Sequence, residues 1–213
     1  MLKNQNKFLL NKRLEILKFF KKTINKKGLS FDTIKILSND YNINENEIHL
    51  LFPQGNSDII KFTLDQLNND LENYCKKLNL ITLPLHKRIK KILLCKIFLM
   101  NKEKDFYRKI FLNILLPKKN FSISSQLYKS VNKIWIIAGD TSTDFNYYTK
   151  RLILAGIYTR VILFFFNNND QEKLEEIIDI NLKRVAKIPE LKLKMKLFKK
   201  NFPNILKIIK NFN

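Results

Sequence analysis

Turn-forming and metal-binding residues are scarce in this sequence: four glycines, five prolines, two cysteines and two histidines in 213 residues. So few glycines and prolines leave little of the turn chemistry that a hairpin-rich β protein needs, and they suit long helices with short connections. Cys75 and Cys95 lie far apart with no CxxC spacing, which fits two reduced core thiols better than a metal or redox pair. With only His49 and His86 besides, no metal site and no cofactor is expected. No apolar run approaches the roughly 18 to 20 residues of a membrane span; Val161 to Phe166 is about a third of that. No long apolar or Arg- and Ser-rich leader precedes the first helical pattern near Phe8. The expectation is a protein kept in the cytoplasm that touches a membrane only from outside, peripheral on the inner membrane of a bacterium.

What is present is apolar residues, 45% of the chain, and a formal charge of +21. A chain of this length buries one substantial core, and it has no long linker, so a single compact domain with a tail is expected. A strongly basic protein meets something anionic, either nucleic acid or a phospholipid surface. The chain is also crowded with Lys, Asn and Ile, a bias that produces charge without any partner. The position of the charge therefore says more than its total.

Helical periodicity runs through the sequence, with no internal repeat and no sustained period of two, which predicts an all-α fold. Phe8 to Asn25 forms an apolar stripe that Gly28 ends, and Ser30 is placed to cap a short helix through Ile34 and Leu37. Glu45 to Phe52 follows as another short helix, stopped by Pro53, and Asn56 to Leu78 as a long one. His86 to Met100, Asp105 to Leu116, Ser122 to Ala138, Thr143 to Asn167 and Gln171 to about Ile188 complete a bundle.

Three helices joined by short turns, then a long fourth, have the layout of a helix-turn-helix head. With "LFPQGNSDIIKF" (Leu51 to Phe62) at the start of the fourth helix, this part resembles the head of the TetR regulators. A DNA-reading head gathers Lys and Arg around its recognition helix, because phosphate neutralisation supplies most of the affinity. Here Gly28 to Ile60 holds one lysine, Lys35, against the five acids Asp32, Asp40, Glu45, Glu47 and Asp58. No nucleic acid partner is expected, although a TetR-like transcriptional regulator stands as the alternative function.

The stretch Ile134 to Phe166 reads "IWIIAGDTSTDFNYYTKRLILAGIYTRVILFFF". Through Trp135, Ala138-Gly139-Asp140, Ser142 to Asn146, Tyr148-Thr149, Arg151, Leu154-Ala155 and Tyr158 it resembles the ninth Coq protein family, the accessory proteins of ubiquinone biosynthesis. With the "LFPQG" turn, the resemblance runs from about Phe31 to Ile188. Tyr147 stands where that family usually has Trp, a smaller aromatic anchor. Read without the family, Gly139 can end one helix in the left-handed conformation and Ser142 or Thr143 can cap the next, so Asp140 and Asp144 also fit a plain helix corner. Neither has a histidine or metal ligand nearby to make it catalytic, and no nucleophile is paired with a base, so no enzyme activity is expected.

The resemblance implies a surface that docks the di-iron demethoxyubiquinone hydroxylase, carried by Ile134, Tyr147, Tyr148 and Arg151, with Tyr147, Lys150 and Arg151 projecting outward. An ordinary solvated helix face is the plain alternative. It also implies a bundle that opens for an isoprenoid lipid or ubiquinone precursor, with Phe98, Phe106, Phe111, Leu115, Trp135, Ile153, Ile157 and Phe164 as lining, each equally at home in a solid core. A long apolar cavity is enough for such a ligand, since each buried CH₂ contributes about 0.8 kcal/mol. A homodimer is compatible with the resemblance.

The tail has its own pattern. Leu191, Met195, Phe198, Phe202, Ile205, Ile209 and Phe212 recur at spacings of four and three, and no acid follows Glu190. With Lys199, Lys200 and their neighbours on the other faces, this is the pattern of a helix lying in an anionic membrane surface, divided at Pro203, or of a last helix packed on the bundle. The expected architecture is a TetR-like helical domain over 1–188, made of a helix-turn-helix head (8–55) and a lipid-binding bundle (56–188), followed by a C-terminal amphipathic, membrane-associating tail (189–213). The expected function is a non-catalytic accessory protein that holds a polyprenyl quinone precursor and presents it to the hydroxylase at the membrane.

Overall fold

The structure, a computed structural model, describes residues 2–115, 122–141 and 145–186. The tail and its membrane-facing residues (Leu191, Met195, Phe198, Lys199, Lys200, Phe202, Ile205 and Ile209) lie outside the described residues, as do Ser142, Thr143 and Asp144.

Among the described residues every regular element is an α-helix, as the periodicity predicts. In order these are α1 (Leu2–Lys27), α2 (Thr33–Tyr41), α3 (Glu45–Leu51), α4 (Asn56–Lys76), α5 (Leu85–Asn101), α6 (Lys104–Leu115), α7 (Ser122–Ile137), α8 (Phe145–Asn167) and α9 (Gln171–Ala186). The order of a long helix, two short ones and a long one is consistent with the expected TetR-like layout. One boundary moves: α1 begins at Leu2, ahead of the apolar stripe that starts at Phe8.

Local chemistry sets the ends. Gly28, at φ 80°, turns the chain out of α1, and its N–H donates to the carbonyl of Ile24, as a left-handed glycine stop does. The capping role expected of Ser30 is not found: Asp32 occupies the N-cap position of α2 without a side-chain hydrogen bond. The Ser30 carbonyl instead accepts from the Thr33 hydroxyl at 2.8 Å. Asn44 does cap α3, accepting from the N–H of Asn46 at 2.9 Å. Gly55, at φ 58°, lies so close to Ile34 that a Cβ there would meet Ile34 Cδ1 at 2.7 Å.

One core runs through the molecule. Ile16, Phe20 and Ile24 of α1 pack on α2, α3 and α6, while α4 joins α5 and α7. Helix α8 is the axis, touching α5, α6, α7 and α9, and it buries Leu154, Tyr158, Val161, Ile162, Phe165 and Phe166 on one broad face. A face that wide needs several neighbours to cover it, and these four do so.

Among the described residues the core holds one buried amine. Lys96 of α5 is fully buried and donates from Nζ to Asn68 Oδ1 of α4 at 2.8 Å. Its ammonium sits 5.0 Å from the ring centroid of Tyr158, whose own hydroxyl is buried without a partner. Removal from water disfavours the charged form, so burial pushes the Lys96 pKa down to about 7. Between about pH 7 and the unfolded value near 10.4 the unfolded chain binds a proton that the native chain does not, so this group makes stability rise with pH across that window. Lys96→Met should remove that rise, on the order of a few kcal/mol between pH 7 and pH 10, and should raise the melting temperature near pH 6.5. Thermal melts of both proteins at the two pH values check it, and equal slopes would contradict it.

Candidate functional site

The corner between α7 and α8 is built around a carboxylate. Helix α7 ends where Gly139 adopts φ 85°, and the N–H of Asp140 returns to the carbonyl of Trp135 at 3.0 Å. Arg88 of α5 secures the same end, donating from Nη1 to the Ala138 carbonyl at 3.1 Å and from Nε to the Leu83 carbonyl at 2.7 Å. A Cβ on Gly139 would meet that Arg88 nitrogen at 3.3 Å, a tight fit besides the unfavourable φ.

Two cations from α8 converge on Asp140. Lys150 Nζ reaches Oδ1 at 2.7 Å and Arg151 Nη1 reaches Oδ2 at 3.1 Å, with the Asp140 and Arg151 side chains only 3% and 2% exposed. Arg151 also donates from Nε to Asn132 Oδ1 at 2.8 Å and from Nη1 to the Tyr147 carbonyl at 3.1 Å. Its guanidinium lies 3.3 Å from the ring centroid of Tyr147. The Tyr147 hydroxyl donates to the same Asn132 oxygen, and the Tyr128 hydroxyl donates to Tyr147, each at 3.3 Å. Trp135 closes the group, its indole N–H donating to the Lys150 carbonyl at 3.2 Å. The corner is thus a braced ion pair with aromatic lids, and its chemistry is positional.

This geometry corrects the expected docking surface. Ile134 is 0% exposed in the core and Arg151 is buried, so neither projects outward. The reason is electrostatic: a carboxylate held away from water needs a cation within reach, and Arg151 fills that need. Tyr147 is half-buried over the guanidinium. Tyr148 does stand out, 67% exposed, and Leu152, one turn on, is 76% exposed. Tyr128 and Ile136 on α7 are exposed too.

The expected lipid lining divides likewise. Phe98 of α5, 52% exposed, and Phe164 of α8 share the wall of a cavity of about 350 Å³, together with Leu94, Ile97, Phe165 and Leu174. Phe106, Phe111 and Ile157 are buried in the core, where Phe111 packs edge-on to Tyr158 at 6.2 Å. Trp135 belongs to the corner, and Ile153 is half-buried on α8. The side chain of Leu115 lies outside the described residues.

Several charges in and beside the head are paired. Lys12 meets Glu47 at 3.2 Å, Lys27 meets Asp40 at 2.7 Å and Lys61 meets Asp58 at 3.1 Å. Glu45 and Glu47 lie in the first turn of α3, where they complement the helix dipole and would face phosphate with like charge. Among the described residues no group of three or more His, Cys, Asp or Glu side chains is placed to hold a metal ion, and no helix is long and apolar enough to cross a membrane.

Three features escaped sequence reasoning. Asp140 was open to reading as a corner residue alone, because its partners come from the next helix. Asn132, which ties Arg151 to Tyr147, carried no signal. Lys96 did carry one, since it falls on the same α5 stripe as Ile89, Leu93 and Met100.

Fold and corner together define a protein that is all-helical over the described residues and organised around a helix-to-helix joint. Residues 122–189 match the COQ9 family model, so the resemblance read in Ile134 to Phe166 holds over that stretch and is narrower than Phe31 to Ile188. Similar proteins are the ubiquinone biosynthesis protein COQ9, mitochondrial, of Rattus norvegicus, 42% identical over 71 residues (32% of this chain, 23% of that one). Those of Bos taurus and Homo sapiens are 41% and 39% identical over 61 and 59 residues, each match covering 28% of this chain and 19% of the relative. The matched stretch thus spans less than a quarter of the length of these relatives. All three are named as mitochondrial proteins, which overturns the expectation of a cytoplasmic chain on a bacterial inner membrane.

Arg151→Ala would remove the buried cation that meets Asp140 and should destabilise the fold by about 3 to 5 kcal/mol. Tyr148→Ala, at an exposed position, should change stability by less than about 1 kcal/mol. Urea unfolding of the two variants checks the contrast.

Proposed function

We propose that this chain is a non-catalytic accessory protein of mitochondrial ubiquinone biosynthesis, which holds an isoprenoid quinone precursor and presents it to the hydroxylase that acts on demethoxyubiquinone. The observation that carries the reading is where the COQ9 match falls. It covers the braced corner with α7, α8 and α9, where the Asp140–Arg151 pair fixes the joint and Tyr128, Ile136, Tyr148 and Leu152 are exposed apolar positions.

Each part of the reading has a physical counterpart. Arg151 and Asn132 hold Tyr147 in place, with the Tyr128 hydroxyl and the Tyr148 ring against it, and Leu152 on α8 and Ile136 on α7 are exposed as well. An exposed aromatic and aliphatic cluster on a rigid support is the usual core of a protein interface. The Phe98–Phe164 cavity supplies an apolar wall for a prenyl chain, which needs contact area and no polar motif. In the same reading residues 1–188 act as one helical domain, and the basic tail at 189–213 rests on the membrane from which the lipid is taken.

Two measurements test it. Organic extraction of the full chain purified from membranes should yield an isoprenoid quinone or precursor in near-stoichiometric amount; a chain that emerges empty and stays empty when offered quinone in vesicles refutes the carrier role. Pull-down of the hydroxylase should fall about tenfold or more on joint Tyr148→Glu and Leu152→Glu substitution, with the melting temperature unchanged. Undiminished capture would move the docking surface elsewhere.

A further inference from the structure

Cys75 and Cys95 stand twenty residues apart in the sequence, a spacing that reads as two separate core thiols. The fold brings them together. Cys75 belongs to α4 and Cys95 to α5, helices joined by the loop at 77–84 and packed against each other. Cys75 shares the buried face of α4 with Asn68 and Leu71, and Cys95 that of α5 with Ile92 and Lys96. Each cysteine also has an immediate chain neighbour that touches the opposite helix. Tyr74 holds its ring 5.8 Å from that of Phe98, and Lys96 donates to Asn68 Oδ1 at 2.8 Å. Between these two contacts the thiols meet, Cys75 donating a hydrogen bond to Cys95, and both are unbridged.

A single buried thiol is ordinarily inert. This pair differs in being mutual and in being unequal. The hydrogen bond from Cys75 holds the Cys95 thiol below its usual pKa, and Lys91, exposed one turn earlier on α5, acts in the same direction. The same hydrogen bond, together with burial, pushes the Cys75 thiol up. Cys95 is also the nearer to water, 8% exposed against 3% for Cys75. The thiol that ionises more readily is therefore the one a small solute reaches first, with a second thiol already beside it. That is the arrangement of an attacking and a resolving cysteine.

We infer that Cys75 and Cys95 are a redox site, closing into a reversible disulfide between α4 and α5 when the protein meets hydrogen peroxide. Cys95 gives its proton to solvent and its sulfur attacks one peroxide oxygen. An S–O bond forms as the O–O bond breaks, and the departing hydroxide takes up a proton and leaves as water. Cys75 then attacks the Cys95 sulfur, so the S–S bond replaces the S–O bond, and the Cys75 proton goes to the hydroxide that leaves as a second water. The thiol pair loses two electrons and one peroxide is reduced to water. The bond ties α5 to α4 at the turn that carries Leu94, Lys96 and Ile97, next to the buried amine and the wall of the Phe98–Phe164 cavity. The site stands apart from the quinone reading and does not depend on it.

The test treats the full chain, reduced and freed of reductant, with hydrogen peroxide under native conditions, followed by alkylation in denaturant, intact mass and peptide mapping. The expected result is loss of both alkylatable thiols and a mass lower by about 2 Da before alkylation, with one linked Cys75–Cys95 peptide within a single chain. Dithiothreitol should restore both thiols. In Cys75→Ala, dimedone should label Cys95 as a sulfenic acid, whereas in Cys95→Ala the label at Cys75 should form slower by about tenfold or more. Should either alanine variant melt early, the unsubstituted chain decides: in a time course with dimedone present, the label appears at Cys95 and not at Cys75. The inference is overturned if both thiols survive peroxide in the native chain, if the cross-link forms only between chains, or if Cys75 takes the label as fast as Cys95.

Discussion

A helix with a broad apolar face has to have that face covered, and α8 sets that demand for the bundle. Leu154, Tyr158, Val161, Ile162, Phe165 and Phe166 form its buried face, which α5, α6, α7 and α9 cover. Its other side keeps Tyr148, Leu152, Arg160 and Leu163 exposed. The direction in which α8 leaves α7 therefore decides where every other bundle helix can pack. That direction is set by Asp140, because Lys150 and Arg151 must both reach one carboxylate while Gly139 turns the backbone. A buried pair of this kind contributes little net stability against an apolar substitute, but breaking one half of it is expensive, which makes it a device for fixing geometry.

The same tension between burial and charge shapes the two cations that sequence reading places worst. Arg151 and Lys96 belong to residue types that lie on the surface by default, and each is buried. They solve the problem differently. Arg151 keeps its charge by meeting a carboxylate, an amide oxygen, a carbonyl and an aromatic face. Lys96 has one amide oxygen and the Tyr158 ring, and it yields its charge more readily. The arginine can therefore brace a joint at any physiological pH, whereas the lysine makes the core beneath it sensitive to pH.

Much of the fold was legible because helical burial is a local, periodic signal. The stripe through Ile59, Leu64, Leu67 and Leu71 or through Ile89, Leu93 and Met100 is visible without knowing what it packs against, and the glycines at 28 and 139 stop their helices where the pattern places them. The acidity of Gly28 to Ile60 was legible for the same reason, since charge along a short segment is read directly. The site was less so. That Phe98 and Phe164 meet at a cavity while Phe106 and Phe111 fill solid core depends on how α5, α6 and α8 converge, and an apolar residue looks the same in either place. Whether Arg151 points out or in depended on Asp140, which lies across a corner on another element. The error over location had a different cause: the short charged approach to Phe8 says nothing that distinguishes compartments, and the mitochondrial names of the relatives do.

The distribution of charge then separates the surfaces by task. Acids on α2 and α3 take up Lys12 and Lys27 of α1. Around the α7–α8 corner, Lys150 and Arg151 are spent inward on Asp140, and what remains outward is Tyr148, Leu152, Ile136 and Tyr128, a face suited to protein. Between α5 and α9, Glu175 and Asp179 both meet Lys90, while Lys87, Lys91 and Lys183 stay exposed. A net charge of +21 gives no such division on its own. It arises because every carboxylate placed in a contact consumes a particular lysine or arginine, so the positions of a few acids determine which cations stay available and on which side of the bundle they lie.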